Sequence, residues 1–217
     1  MINLPVKPVV AALAVLATLA SVSFADEALD RKVKAFLESR RGRWHDLNVP
    51  VADGKILYDL VIANKATRAL EIGTSTGHSG IWIAWALSRT GGKLVTVEID
   101  PERHEQAVAN FREAGLSDFV DARLGDAHTL VPSLEGPFDF VFCDADKGWY
   151  KNYLIAVMPK LTVGGLFVAH NVSERRRSGW GTGEFLGYVL GLPDMETTFP
   201  SGSSAGISVS RKIDPGK

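Results

Sequence analysis

Residues 70–79 read Leu-Glu-Ile-Gly-Thr-Ser-Thr-Gly-His-Ser, an apolar strand that breaks into a loop at Gly73 and enters a helix after Gly77. Glycine adopts backbone conformations closed to other residues, so such a loop lets main-chain N–H groups approach a ligand closely. The pattern continues outward from this stretch. Ala69–Ile72, Leu94–Ile99, Val120–Leu124, Phe138–Cys143 and Leu166–Ala169 are short apolar runs that read as strands. Ser79–Leu87, Pro101–Ala114, Ala127–Leu134 and Tyr150–Lys160 read as the helices between them. The clearest helix has Asp100 as N-cap, Pro101 at its first position and Gly115 just past its end. Strands near Glu196–Phe199 and Ile207–Arg211, joined without a long helix, predict an antiparallel edge. Upstream, Leu29, Val33, Phe36 and Leu37, then Ile56, Leu57, Leu60 and Val61, mark two amphipathic helices. The expected fold is α/β: a seven-stranded, mostly parallel sheet with helices on both faces.

The chain has 217 residues, 46% apolar and 23% charged, which suits one ordinary domain with a full core. A net charge of −1 argues against a protein that lives by binding nucleic acid. The single cysteine, Cys143, forbids an intramolecular disulfide or a cysteine-based zinc cluster. Residues 1–25 stand apart: Lys7, the uncharged run Val9–Ala20, then Ser23-Phe24-Ala25 before Asp26. That is the order of a secretory signal peptide, cleaved after Ala25, and it predicts export. Two other readings stay open, a buried helix and an uncleaved anchor. Val9–Ala25 is at the lower limit for spanning a bilayer, and the basic residues Arg31–Arg43 would hold an anchored domain in the cytoplasm. The domain proper is therefore residues 26–217.

In parallel α/β sheets ligands bind beyond the carboxyl ends of the strands, and here those ends are polar. Strand 1 carries Glu71 into its loop, strand 2 ends Glu98-Ile99-Asp100, and strand 3 leads to Gly125-Asp126. Strand 4 leads to Asp144-Ala145-Asp146-Lys147, and strand 5 to His170-Asn171. The Gly-x-x-x-Gly spacing is not that of dinucleotide enzymes, and no lysine follows to cradle phosphates. A carboxylate before the loop suits a cationic ligand. Glu98 is placed to accept ribose hydroxyls, and Asp126 an adenine amino group. A nucleoside carrying positive charge is S-adenosylmethionine.

At these residues the chain resembles the cation-dependent O-methyltransferases, the catechol and caffeoyl-CoA O-methyltransferase group. The resemblance runs from about Trp44 to Arg211 through Leu47-Asn48-Val49, Leu70–Ser79, Val95–Asp100, Gly125–Ala127, Phe138–Lys147 and His170–Val172. It implies a Rossmann-like class I methyltransferase fold, a homodimer, and transfer of a methyl group to a small hydroxylated aromatic substrate. It also implies that Val49, Glu71, Gly73, Thr74, Ser75, Gly77, Ser79, Glu98, Ile99, Asp126, Ala127 and Asp144 surround S-adenosylmethionine. Lys147 would be the general base beside Asp144, and Asp144, His170 and Asn171 would hold a divalent cation. The chain departs from the family pattern at His170, which replaces Asp, at Trp149, which replaces Asn, and in the loop Ser173–Arg177. Imidazole in place of a carboxylate shifts metal preference from Mg²⁺ toward Mn²⁺, Fe²⁺, Co²⁺ or Zn²⁺.

Methyl transfer is an in-line displacement, so the enzyme must position an oxygen and remove its proton and water. Other conspicuous residues read as structural. Cys143 reads as a small buried hydrophobe, Asp146 as a helix cap, and Trp82 and Trp85 as packing beneath the sheet. His128 falls near the expected adenine site, and Trp149 and Trp180 are candidates for an aromatic substrate wall. The rival readings are a non-catalytic adenosyl-ligand binder with a decayed metal site, and an RNA-modifying methyltransferase on the same scaffold.

Overall fold

The computed structural model describes residues 26–45, 47–174 and 181–216. The expected leader at 1–25, the arginines at 175–177 and Trp180 lie outside the described residues. The chain forms two compact units, one ending at Arg41 and the other beginning at Gly42. In the first, helix α1 covers residues 26–39 and buries Val33 and Phe36 from the expected apolar stripe. No helix among the described residues is long and apolar enough to cross a membrane.

The second unit carries one seven-stranded sheet. In chain order its elements are α2 (Val51–Asn64), β1 (Arg68–Ile72), α3 (His78–Thr90), β2 (Lys93–Glu98), α4 (Pro101–Ala114) and β3 (Val120–Leu124). There follow α5 (Ala127–Ser133), β4 (Phe138–Cys143), α6 (Tyr150–Val157), β5 (Leu161–His170), α7 (Gly183–Leu190), β6 (Met195–Thr198) and β7 (Ile207–Lys212). The sheet order is β3-β2-β1-β4-β5-β7-β6. β1 to β5 pair in parallel, and β7 runs antiparallel to both neighbours, β5 and β6. The β7–β6 pair thus forms the antiparallel edge that the sequence predicts, with the reversed strand β7 lying between β5 and β6. A strand that follows β6 by a short turn must run back, and its apolar Ile207 and Val209 favour the covered position.

Capping fixes α4 as its sequence predicts: the Asp100 carboxylate accepts from the Glu102 and Arg103 N–H groups at 2.9 and 3.0 Å, and Gly115 ends the helix at φ 81°. α7 was not legible in the sequence. Gly183 and Gly187 weaken its propensity, yet Phe185, Leu186 and Val189 bury one face.

Side chains alternate across the sheet, and this decides the chemistry of each face. Leu70, Ile72, Val141, Cys143 and Phe167 pack in one core cluster with residues of α5, α6 and α7, including Tyr153, Leu154 and Phe185. The intervening residues, among them Glu71, Phe142 and His170, face the other way. There α2 and α3 pack together, with Tyr58 against Trp85 (ring centroids 4.8 Å) and Trp82 lying where a Cβ on Gly54 would fall. The tryptophans therefore fill a helix–helix seam.

Candidate active site

Strand order reverses between β1 and β4, and the carboxyl ends of these two strands form the floor of the site. The Asp144 N–H donates to the Ile72 carbonyl at 2.9 Å, and a Cβ on Gly73 would come within 3.0 Å of the Asp144 backbone. Gly73 also has φ 96°, so both space and conformation demand glycine here. The loop is fastened from two sides. Gly73 and Thr74 donate to the Val97 carbonyl, and the Asn48 side chain donates to Thr76 Oγ1 at 2.7 Å and accepts from His78 N–H at 3.3 Å.

A cleft opens above this floor. Gly73, Thr74, Ser75, Ser79, Glu98, Ile99, Asp126, Ala127 and Asp144 line it, all singled out in the sequence, together with Leu47, Asn48, Val97, Arg103, His128, Ala145, Asp146 and Tyr153. Glu98 is 6% exposed and tightly held: Oε2 accepts from Ser75 N–H at 2.6 Å, and Oε1 accepts from Ile99 and Asp100 N–H groups at 3.1 and 3.0 Å. Asp126 accepts from His128 N–H at 2.9 Å as the N-cap of α5. The His128 ring lies 3.4 Å from both Asp126 and Asp146 and packs on Trp149 (4.5 Å between centroids) and Tyr153 (5.8 Å). Asp146 is also a cap, accepting from Gly148 N–H at 3.0 Å.

Three residues expected around the ligand do not line the cleft. Val49 is buried, and only its carbonyl reaches the loop, on His78 Nδ1 at 2.8 Å. Gly77 is the N-cap of α3 and backs onto Phe111. Glu71 alternates to the α3 side, fully buried, where it accepts from Thr96 Oγ1 at 2.6 Å. Burial pushes its carboxyl up to about 8, against hydrogen bonds from Ser79 and Thr96 that oppose the shift. It is a prop beneath the loop, largely uncharged at neutral pH. His78, pulled down to about 4 by burial, is likewise structural, stacked on Trp44 and accepting from Trp82 Nε1 at 3.1 Å. Burial pushes the Cys143 thiol far up, so it packs as a hydrophobe.

The second half of the site lies at the ends of β4 and β5. Lys147 Nζ donates to Asp144 Oδ1 and to the Tyr150 hydroxyl (2.9 Å), which in turn lies 3.4 Å from the same carboxylate oxygen. Burial, with nearby acidic groups, pushes the Tyr150 phenol well up and keeps it neutral. The other oxygen, Asp144 Oδ2, is 3.1 Å from His170 Nδ1. His170 Nε2 is 2.8 Å from Asp53 Oδ2, and both residues are buried. Burial pulls the His170 imidazole down, but the hydrogen bonds and charges of Asp144 and Asp53 outweigh it and hold the ring up to about 9.

The expected divalent-cation site does not fit this arrangement. Both nitrogens of His170 face carboxylates, and both oxygens of Asp144 already accept from cationic groups. Asn171 sits in the left-handed region at φ 58°, its carbonyl accepting from Thr182 Oγ1 at 3.3 Å. Among the described residues no group of three or more His, Cys, Asp or Glu side chains is arranged to hold a metal ion. Asp53 was missed in the sequence, where it reads as an ordinary acid in the first turn of α2. The signal was there: Asp53, Leu57 and Val61 lie at i, i+4 and i+8, one buried stripe.

The sequence model of the O-methyltransferase family matches residues 20–175. The chain is 39% identical over 130 residues to the catechol O-methyltransferase of Niastella koreensis, covering 58% of each chain. It is 34% identical over 128 residues to the caffeoyl-CoA O-methyltransferase 1 of Eucalyptus globulus, covering 57% of this chain and 52% of the other. It thus spans little more than half the length of these curated relatives. Among solved structures, the O-methyltransferase TomG of Streptomyces achromogenes, in complex with SAM, superposes with a TM-score of 0.71 at 28% identity, covering 84% of this chain and 90% of that one. The O-methyltransferase of Bacillus cereus, in complex with SAH, gives 0.71 at 26% identity, covering 89% and 97%.

Proposed function

This chain belongs to the O-methyltransferase family, and we propose that it transfers a methyl group from S-adenosylmethionine to a hydroxyl of a small catechol-like or phenolic molecule. The observation that carries the reading is the cleft: Glu98, fixed by three backbone N–H groups, at one end and Asp144, ion-paired to Lys147 behind it, at the other. Glu98 accepts the ribose hydroxyls, and its fixed orientation removes the entropy cost of finding them. Asp126 faces the adenine, and His128 with Tyr153 supplies its apolar wall. Asp144 at the switch point lies beside the sulfonium end, where its negative charge favours a cationic donor.

The substrate oxygen attacks the methyl carbon in line with the departing sulfur. The O–CH₃ bond forms as the S–CH₃ bond breaks, and the sulfur keeps the bonding electron pair as neutral thioether. Lys147 Nζ, unprotonated in the reactive form, takes the hydroxyl proton. Asp144, which lines the cleft, and the neutral Tyr150 hydroxyl hold that nitrogen in place. The substrate class rests on the names of the relatives, catechol and caffeoyl-CoA O-methyltransferases. We further propose that residues 1–25 direct export, with a mature N-terminus at Asp26 that terminal sequencing of the native protein reads directly.

The test is incubation with S-adenosylmethionine and a mixed panel of catechols and phenols, with the methyl ethers read by mass spectrometry. Calorimetric binding of S-adenosylmethionine with no ether from any substrate would favour the adenosyl-ligand binder.

A further inference from the structure

Asp53 belongs to no part of the chemistry described so far, yet it is a fully buried carboxylate on α2 and its Oδ2 contacts a ring nitrogen of His170. Its other oxygen, Oδ1, has no hydrogen-bond partner among the described residues. A carboxylate in that position is costly unless a positive group answers it. The group present is His170, brought to the α2 side of the sheet by strand alternation. Ionised carboxylates have no proton to give, so a ring that bonds to Asp53 through Nε2 and to Asp144 through Nδ1 donates from both nitrogens and carries a full positive charge.

We propose that His170, clamped between Asp53 and Asp144, supplies beside Asp144 the positive charge that a divalent ion would otherwise supply, so that this site binds no metal and works without one. Asp53 is the positioning residue. The proposal rests on the methyltransferase reading of the site.

Charge and donor geometry carry the inference. In the resting site, with Lys147 protonated, the four buried or half-buried groups Asp53, Asp144, His170 and Lys147 sum to zero, two carboxylates against two cations. A dication added here would raise the cluster to +2 in a low-dielectric pocket. It would also have to displace N–H donors from Asp144 and find a lone pair on an imidazole that has none free. A carboxylate at position 170 would reverse both conditions, but it would add a third buried negative charge and leave Asp53 without the cation that now answers it. The pair Asp53 and His170 is therefore one coupled exchange: the imidazole at the end of β5 is tolerated because α2 brings an anion to its far side.

The experiment measures Mn²⁺ directly. The electron paramagnetic resonance signal of free Mn²⁺ is followed on titration with metal-stripped full-length protein, and S-adenosylmethionine binding is read by calorimetry on the same sample. Wild-type protein is expected to leave the Mn²⁺ signal unchanged at millimolar metal and to keep its turnover in excess chelator. The double variant Asp53→Asn/His170→Asp, which restores a second carboxylate without a third, is expected to take up one equivalent. In the proton NMR spectrum of the wild type at fixed pH, His170 is expected to give two low-field ring N–H signals, and Asp53→Asn to shift one of them upfield. Stoichiometric Mn²⁺ uptake by the wild type would overturn the proposal. So would loss of turnover in chelator that Mn²⁺ restores, a folded double variant that takes up no Mn²⁺, or ring signals indifferent to Asp53. Failure to bind S-adenosylmethionine instead overturns the methyltransferase reading and leaves the Mn²⁺ result to stand by itself.

Discussion

The two ends of the cleft are built on opposite principles. At the β1–β2–β3 end, ligand-facing groups are held by the backbone around them: Glu98 accepts from three main-chain N–H groups within three residues of itself or of the glycine loop. At the β4–β5 end, side chains hold one another. Asp144, Lys147, Tyr150, His170 and Asp53 form one connected network, drawn from four elements and 117 residues apart at its extremes. Local anchoring makes a site readable and tolerant, because removing one side chain leaves its neighbours in place. A side-chain network is less forgiving, since each member satisfies the charge of the next.

The sharpest way to break this contrast is Lys147→Ala. A positioned general base contributes roughly 10²–10⁴ in rate, so kcat is expected to fall by at least a hundredfold. Calorimetric affinity for S-adenosylmethionine stays near the wild-type value, because the other end of the cleft is self-supporting. An equal fall in affinity would show the two ends to be one unit.

His170→Leu tests the network from inside. Removing one partner of a buried ion pair costs about 3–5 kcal/mol because the other charge is left unanswered. Denaturant unfolding should show a loss in that range, and adding Asp53→Asn should return part of it. Strict additivity of the two changes would deny their coupling.

Glu98→Ala tests the backbone-held end. Hydrogen bonds to a charged group are worth about 1.5–3 kcal/mol, so affinity for S-adenosylmethionine should fall at least tenfold, and the three N–H groups left without their acceptor should lower the melting temperature as well. Unchanged affinity would remove Glu98 from the ligand site.

The smallest effect is a pH dependence shared by the two faces of the loop. Glu71, raised from 4.5 to about 8, keeps its proton in the fold where the unfolded chain has lost it, so its contribution to stability falls as pH rises from 4.5 toward 8. His170, raised from 6.5 to about 9, contributes fully below 6.5 and loses that contribution as pH rises through 9. Both signs agree: the protein should melt at a lower temperature at pH 9 than at pH 6. Glu71→Gln cannot titrate and should flatten the acidic part of this slope while leaving the part above 8. A melting temperature that rises with pH over this range would contradict both shifts.

The sequence by itself determined the strand–helix alternation, the caps of α4, the glycine loop and the acidic ends of β1 to β4. These are set by interactions between residues close in the chain, and short-range chemistry leaves a pattern in the residue order. It could not place β7, because the position of a reversed strand depends on which neighbour buries it. Nor could it give Glu71 its role: the residue stands in the loop motif, but strand alternation turns it toward α3 and away from the cleft. The meaning of His170 was decided only in three dimensions. Read along the chain, the residue is a departure at a ligand position. Folded, it meets Asp53 from α2, and a carboxylate 117 residues away turns a lost negative charge into a held positive one.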